Sequence, residues 1–325
     1  MSASLLNIEN LQTHLFLGAG LARVVDGVSF SMEKGETLAL VGESGCGKTM
    51  TAYSILRLVP SPPGRIVGGS IVFEGQDILA VSEKEMRKIR GNRISMVFQE
   101  PLSSLNPVFK VGSQIAEVLQ VHRKMRKKSA IQHAVRLLKD VGIPAPGKAV
   151  QYFPHQMSGG MRQRVMIAMA LACEPGLMIA DEPTTALDVT VQAQIMELLQ
   201  HLKERQNMAL LLITHDLGVV AETAKNVAVM YAGRIVEYTD VKTIFKNPQN
   251  PYTRGLLESL PHYGRERLTP IKGMVPTFED LPKGCKFSSR CAQVFDTCLA
   301  EEPDLFEVKN DNDRKHFVRC WLCEN

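Results

Sequence analysis

Residues 42–49 read Gly-Glu-Ser-Gly-Cys-Gly-Lys-Thr and directly follow the apolar stretch Thr37-Leu38-Ala39-Leu40-Val41. A glycine-rich loop therefore leaves the end of a buried strand and opens a helix. Without side chains at Gly42, Gly45 and Gly47, the backbone N–H groups of Glu43, Ser44 and their neighbours are able to turn inward around a phosphate. The positive end of the helix that follows favours the same anion. Lys48 is placed to reach β- and γ-phosphates, and Thr49 to offer a hydroxyl to Mg2+. Cys46 has two readings. It is a reactive thiol, its pKa lowered near a helix N-terminus, or simply a small residue fitting a tight loop.

A second set of residues suits hydrolysis. Met178-Ile179-Ala180-Asp181-Glu182 ends an apolar run in two carboxylates, and ligands gather at the carboxyl ends of strands in open α/β sheets. Asp181 suits Mg2+ and its waters, while Glu182 is placed to polarise an attacking water. Ser158-Gly159-Gly160, a weak motif alone, precedes a helix with Arg162 and Arg164 and offers a hydroxyl and N–H groups to a phosphate arriving from outside. His215 follows the strand candidate 210–214, where a γ-phosphate contact is needed.

The elements that must carry these residues are those of an α/β chain. Residues 4–41 alternate apolar runs with turn signals and read as strands, and 50–59 as the helix beyond the loop. A loop dense in proline and glycine, 60–69, precedes strand candidates at 70–73 and 94–98. Ile115, Val118, Leu119, Ile131, Val135 and Leu138 recur at helical spacing, which predicts a helical insert from Val111 to Leu138 ending at Gly142. Residues 165–171 read as another helix, and 177–180 and 209–213 as buried parallel strands. Near residue 235 the core pattern gives way to proline, aromatic residues and cysteines, which places a domain boundary there. The net charge of +4 is too mild to point to nucleic acid, and no apolar run approaches the ~20 residues of a membrane span. The dense basic run 122–128 reads as a solvated helical face or loop.

Taken in order, these motifs resemble those of the ATP-binding subunits of ABC transporters. The resemblance spans almost the whole chain: Walker A at Gly42–Thr49, Q-loop Gln99, signature Ser158–Met161, Walker B Leu177–Asp181, catalytic Glu182, D-loop Asp188 and switch His215. It implies an α/β P-loop NTPase cassette with a RecA-like core, an antiparallel β subdomain and a helical subdomain at about 100–160, within a nucleotide-binding domain 1–235. Residues 236–325 would form a cysteine-bearing extension. It also implies that Gln99 senses Mg2+ and couples to membrane subunits, that His215 contacts the γ-phosphate, and that Ser158 and Gly160 contact the nucleotide of an opposite subunit. The stretches 99–107, 152–156 and 244–261 look more narrowly like the D-type ATPase of dipeptide and oligopeptide importers. Two departures stand out. Met157 and Met161 flank the signature where Leu and Gln are usual. The aromatic that stacks on adenine in many relatives falls near Leu15, whereas here the aromatic is Phe16, which replaces it only if the strand register shifts.

Cys285, Cys291, Cys298 and Cys320 form an irregular set, with Cys323 three positions beyond and His316 near enough in sequence to substitute. Thiolates on such backbone suit a metal centre, and only Cys320 and Cys323 show the close spacing of a zinc site. The context of Cys285 and Cys291 resembles the importer tail in which four cysteines hold a 4Fe-4S cluster. Zn2+ or a reduced, uncoordinated tail are the alternatives. The resemblance as a whole implies an ATPase using ATP and Mg2+ on the cytoplasmic face of the inner membrane. Its partners would be a second ATPase in a heterodimer, two permease chains docked on the helical insert, and a substrate-binding protein, with no nucleic acid. Peptide is the implied cargo. A non-peptide importer, for nickel or glutathione, and a soluble ABC ATPase are the rivals.

Overall fold

The computed structural model describes residues 4–18, 20–100, 104–185, 187–260, 271–278, 280–308 and 315–324. Pro101, Leu102 and Ser103 of the importer-like stretch 99–107, and Pro261 of 244–261, lie outside them. The strands in chain order are β1 (Leu6–Leu17), β2 (Gly20–Met32), β3 (Thr37–Val41), β4 (Gly64–Phe73), β5 (Gln76–Asp77) and β6 (Ile94–Val97). They continue as β7 (Leu177–Asp181), β8 (Ala209–Thr214), β9 (Asn226–Tyr231), β10 (Arg234–Asp240), β11 (Phe306–Glu307) and β12 (Phe317–Val318).

The chain forms two compact units, one of Met1–Glu33, Thr37–Leu79 and Ile213–Asn325, the other of Lys34–Glu36 and Ala80–Leu212. The first holds an antiparallel sheet in the order β2-β1-β4-β5. Alternation of buried and exposed residues along β1 and β2 makes one face of that sheet apolar. The same unit holds the order β11-β12-β10-β9-β3, in which β3 runs parallel to β9 and the other pairs are antiparallel. β3 is buried at every position, as a strand covered on both faces must be. It delivers the chain into the glycine loop and the helix Lys48–Ile55.

In the second unit the order is β8-β7-β6, of β8 only residues 209–212 belonging to it, with β6 and β7 parallel and β7 buried throughout. The helical insert consists of two helices, Val111–Arg123 and Lys127–Asp140. Lys124 breaks it by adopting a left-handed conformation (φ 55°) and donating its N–H to Leu119 O. Apolar spacing continues past the break, so periodicity alone hid it. The basic run is mostly exposed around this turn. The first unit departs from expectation as well, because Gly64–Gly69 belongs to β4 rather than to a loop. The glycines there accompany a register shift against β1 between Glu9 and Gln12, so they mark an irregularity within the strand.

The C-terminal region contributes the helices Val241–Lys246, Pro251–Glu258 and Asp296–Ala300, besides β11 and β12. Glu237 on β10 is fully buried and ties three segments together. Its carboxylate accepts from Gln249 N at 2.7 Å and Asn250 N at 3.0 Å, and lies 2.8 Å from His316 Nε2. Replacing it with alanine strands two buried polar groups, Asn250 N and His316 Nε2, and the half-buried Gln249 N, so Glu237→Ala is expected to lower stability by about 3 kcal/mol. Denaturant unfolding of the purified chain measures this, and a loss below about 1 kcal/mol would contradict the role.

Candidate nucleotide site

The glycine loop is shaped by what surrounds it. Gly42 (φ 150°) and Gly47 (φ 103°) adopt conformations that side chains resist, and a Cβ on either would strike backbone, the Met230 carbonyl or the Val24 carbonyl respectively. Gly233 N donates to Cys46 O at 2.9 Å, and Tyr252 Oη accepts from Glu43 N at 2.9 Å. Lys48 is 5% exposed and its Nζ donates inward to Gly42 O at 2.7 Å and Glu43 O at 2.9 Å. The ammonium is thus held on two carbonyls beside exposed Ser44 and Gly45. Thr49 is half-buried one position further along the helix. His215, of the same unit, is exposed after β8, next to Asp216, whose carboxylate caps the helix Leu217–Thr223.

Cys46 follows the bland reading. It is fully buried, and desolvation pushes its thiol pKa up, outweighing the opposing influence of Lys48.

In the second unit, β7 ends at buried Asp181 and Glu182 follows with φ 46°, a sparsely populated conformation for a residue with a side chain. Gln99 Nε2 donates to Glu182 Oε2 at 3.0 Å, and Thr185 Oγ1 donates to the same oxygen at 2.8 Å. Two donors and a turned backbone fix the carboxylate's direction. Gln99 and Glu182, 83 positions apart, are thus brought together. Thr185 was not singled out from sequence, although a hydroxyl three residues beyond a candidate base is a readable signal. Ser158 is the N-cap of the helix Gly159–Leu171, its Oγ accepting from Met161 N at 3.3 Å. Gly159 and Gly160 open that helix, so their N–H groups belong to its first turn. Asp188 caps the helix Val189–Gln206 in the same way, accepting from Val191 N at 2.9 Å.

Comparison with known proteins places this arrangement. A family model described as ABC transporter matches residues 25–185, and one described as oligopeptide/dipeptide transporter, C-terminal region, matches 236–298. The oligopeptide transport ATP-binding protein AppD of Bacillus subtilis is 51% identical over 324 residues, 99% of this chain and 98% of that one. The dipeptide transport ATP-binding protein DppD of Escherichia coli is 49% identical over 304 residues, 93% of each. The chain belongs to the ATP-binding subunits of ABC peptide transporters. Among solved structures, the ATP-binding cassette MJ0796, a dimer bound to ADP and Pi, aligns with TM-score 0.66 and 25% identity over 73% of this chain and 98% of that one. The ABC ATPase cassette fold is thereby shown.

Two details of this ABC subunit bear on the expectations for Phe16 and for the cysteine tail. A register irregularity does fall between Thr13 and Leu15 on β1, and Phe16 is 51% exposed with the Arg65 guanidinium 5.6 Å from its ring centre. In the tail, Cys285, Cys291, Cys298 and Cys320 line one cavity with Phe287 and Ser288, and Cys323 is not among its lining. Yet no three His, Cys, Asp or Glu side chains among the described residues are arranged to hold a metal ion. Three of the thiols make hydrogen bonds: Cys291 Sγ accepts from Gln293 N at 3.3 Å, and Cys320 shares one with Cys323. That bond raises Cys320 and lowers Cys323, while burial pushes Cys285 up to about 11. His316, whose Nε2 lies 2.8 Å from Glu237 Oε1, is not among that cavity's lining residues.

The burial of Cys46 sets a labelling outcome. With a raised pKa, its thiolate fraction at pH 8 lies below that of a free cysteine and grows only as pH rises further. Maleimide is expected to leave the native ATPase active and to modify Cys46 only after denaturation, as peptide mass mapping would report. Rapid inactivation that MgATP prevents would instead restore the reactive-thiol reading.

Proposed function

We propose that this chain hydrolyses ATP to power the import of dipeptides or oligopeptides through an inner-membrane ABC transporter. The near-full-length identity of about half its residues with AppD and DppD, spanning both the cassette and the C-terminal region, carries the reading. Gly42, Glu43, Ser44, Gly45, Cys46, Gly47 and Lys48 hold the phosphates of ATP, and Thr49, Gln99 and Asp181 would hold Mg2+, whose charge would offset that of the phosphates. Glu182 takes the proton of the attacking water, its carboxylate aimed by Gln99 and Thr185. His215 contacts the γ-phosphate. Ser158, Gly159, Gly160 and Asp188 serve the nucleotide of an opposite subunit, which makes each site composite.

The working assembly in this reading is a heterodimer with a second ATPase chain, two permease chains docked on the helical subdomain at about 100–160, and a substrate-binding protein. The chain would sit peripherally on the cytoplasmic face; no helix among the described residues is long and apolar enough to cross a membrane. The same proposal divides the chain by function near 235, into a nucleotide-binding domain 1–235 and an extension 236–325; its support is the C-terminal family match over 236–298. In the reconstituted assembly, Glu182→Gln is expected to bind MgATP normally while hydrolysis falls ~10^2- to 10^4-fold. Lys48→Ala is expected to lose nucleotide binding itself. Undiminished turnover in Glu182→Gln would sink the assignment of the base, and failure of radiolabelled dipeptide to accumulate with wild-type protein would sink the cargo.

We further propose Cys285, Cys291, Cys298 and Cys320 as the thiolate ligands of a 4Fe-4S cluster. The support is a donor set of four thiols lining one cavity, in a segment that matches the peptide-transporter C-terminal family. Such a group would supply folding energy to the tail when bound. Anaerobically purified protein is expected to be brown, with about four irons and four labile sulfides per chain. Serine at Cys285, Cys291 or Cys298 should bleach it, and Cys323→Ser should not. Stoichiometric zinc without iron, or no metal at all, would overturn the cluster.

A further inference from the structure

The loop residue Glu43 is gripped by the far end of the chain. Arg290 Nη1 donates to Glu43 Oε2 at 2.6 Å and Nη2 to Oε1 at 2.9 Å, a parallel two-point pair across 247 positions of sequence. The Arg290 side chain is only 3% exposed. Its Nε donates to Lys272 O at 3.0 Å, and its guanidinium lies 5.8 Å and 5.9 Å from the ring centres of Tyr231 and Phe287. Those rings pack with Tyr252 at centroid distances of 4.6 to 5.3 Å, so the guanidinium is backed by a rigid aromatic cluster. Tyr252 Oη takes the Glu43 N–H. Glu43 is therefore held at its side chain and its main chain by residues outside the cassette's motifs, and its carbonyl is one of the two on which Lys48 rests.

We propose that Arg290 is a positioning residue for nucleotide binding, holding the phosphate loop in its receptive shape through Glu43. Arg290 touches no phosphate in this account. Glycine-rich segments lose much entropy on ordering, and a loop ordered in advance spares the nucleotide that cost. Because the clasp acts on the loop and not on Glu182, its loss weakens binding and leaves the chemical step alone. The inference rests on the nucleotide site proposed above. Failure of that site would show as wild-type protein without MgATP turnover, whereas failure of the clasp leaves wild type active.

The test is steady-state ATPase kinetics in the assembled transporter with its partner chains. Arg290→Ala is expected to raise the KM for MgATP roughly tenfold, the worth of a charge-assisted pair, with kcat within about twofold of wild type. Arg290→Lys keeps the charge and loses the fork, and should fall between the two. Glu43→Ala should raise KM to a similar degree, and the double variant should be no worse than either single one. A lowered melting temperature with unchanged KM in Arg290→Ala would make the pair mere packing and overturn the proposal. So would single-variant effects that multiply in the double variant. If Arg290→Ala fails to assemble, Glu43→Gln breaks the pair from the loop side at nearly constant volume, and an unchanged KM there would also overturn it.

Discussion

The absence of room around the glycine loop is the constraint on which the nucleotide site depends. Met230 and Val24 bring carbonyls against the α-carbons of Gly42 and Gly47, so the loop has one path and only glycine follows it. Those two carbonyls come from β9 and β2, and the hydrogen bond from Gly233 to Cys46 adds the turn before β10. The shape of the loop is therefore a product of sheet packing rather than of eight residues acting alone. Lys48 completes it by bonding to the loop's own carbonyls, which keeps a nearly buried ammonium satisfied.

The second unit handles its charge differently. Glu182 sits on turned backbone at the end of a fully buried strand, and its carboxylate is steered by a glutamine and a threonine. Strain of this sort persists only where surrounding structure over-determines it, and β7 supplies that restraint. The signature serine and the aspartate at 188 are both helix caps. Their side-chain oxygens already bind N–H groups, which orients the helix ends that the composite-site reading needs.

The C-terminal region is more than an appendage to the cassette's motifs. Glu237 bonds to the backbone before the helix Pro251–Glu258 and to His316, while Arg290 reaches Glu43. A buried acceptor with three donors and a forked ion pair are both geometrically demanding, so they set the register of the tail against β10 and the loop. The thiols of Cys285, Cys291, Cys298 and Cys320 come to one cavity within that framework.

Local sequence determined the motifs and the strands that carry them. Gly42 to Thr49 after an apolar run, Asp181-Glu182 after another, and the spacing between them sufficed for the family and the cassette fold, because glycine, lysine and carboxylate at those offsets have few other uses. Periodicity also located the helical insert, but it missed the break at Lys124, since a left-handed residue leaves the apolar spacing on either side intact. The 64–69 segment misled for a related reason: glycine reads as a turn, and only pairing with β1 shows it as an irregular strand. Burial of Cys46 against the helix-end effect, the aiming of Glu182 by Gln99 and Thr185, and the grip of Tyr252 and Arg290 on Glu43 were decided by tertiary structure alone. Desolvation and most of these contacts depend on partners tens to hundreds of positions away, and no local pattern of residue types encodes a distance that only the folded chain makes short.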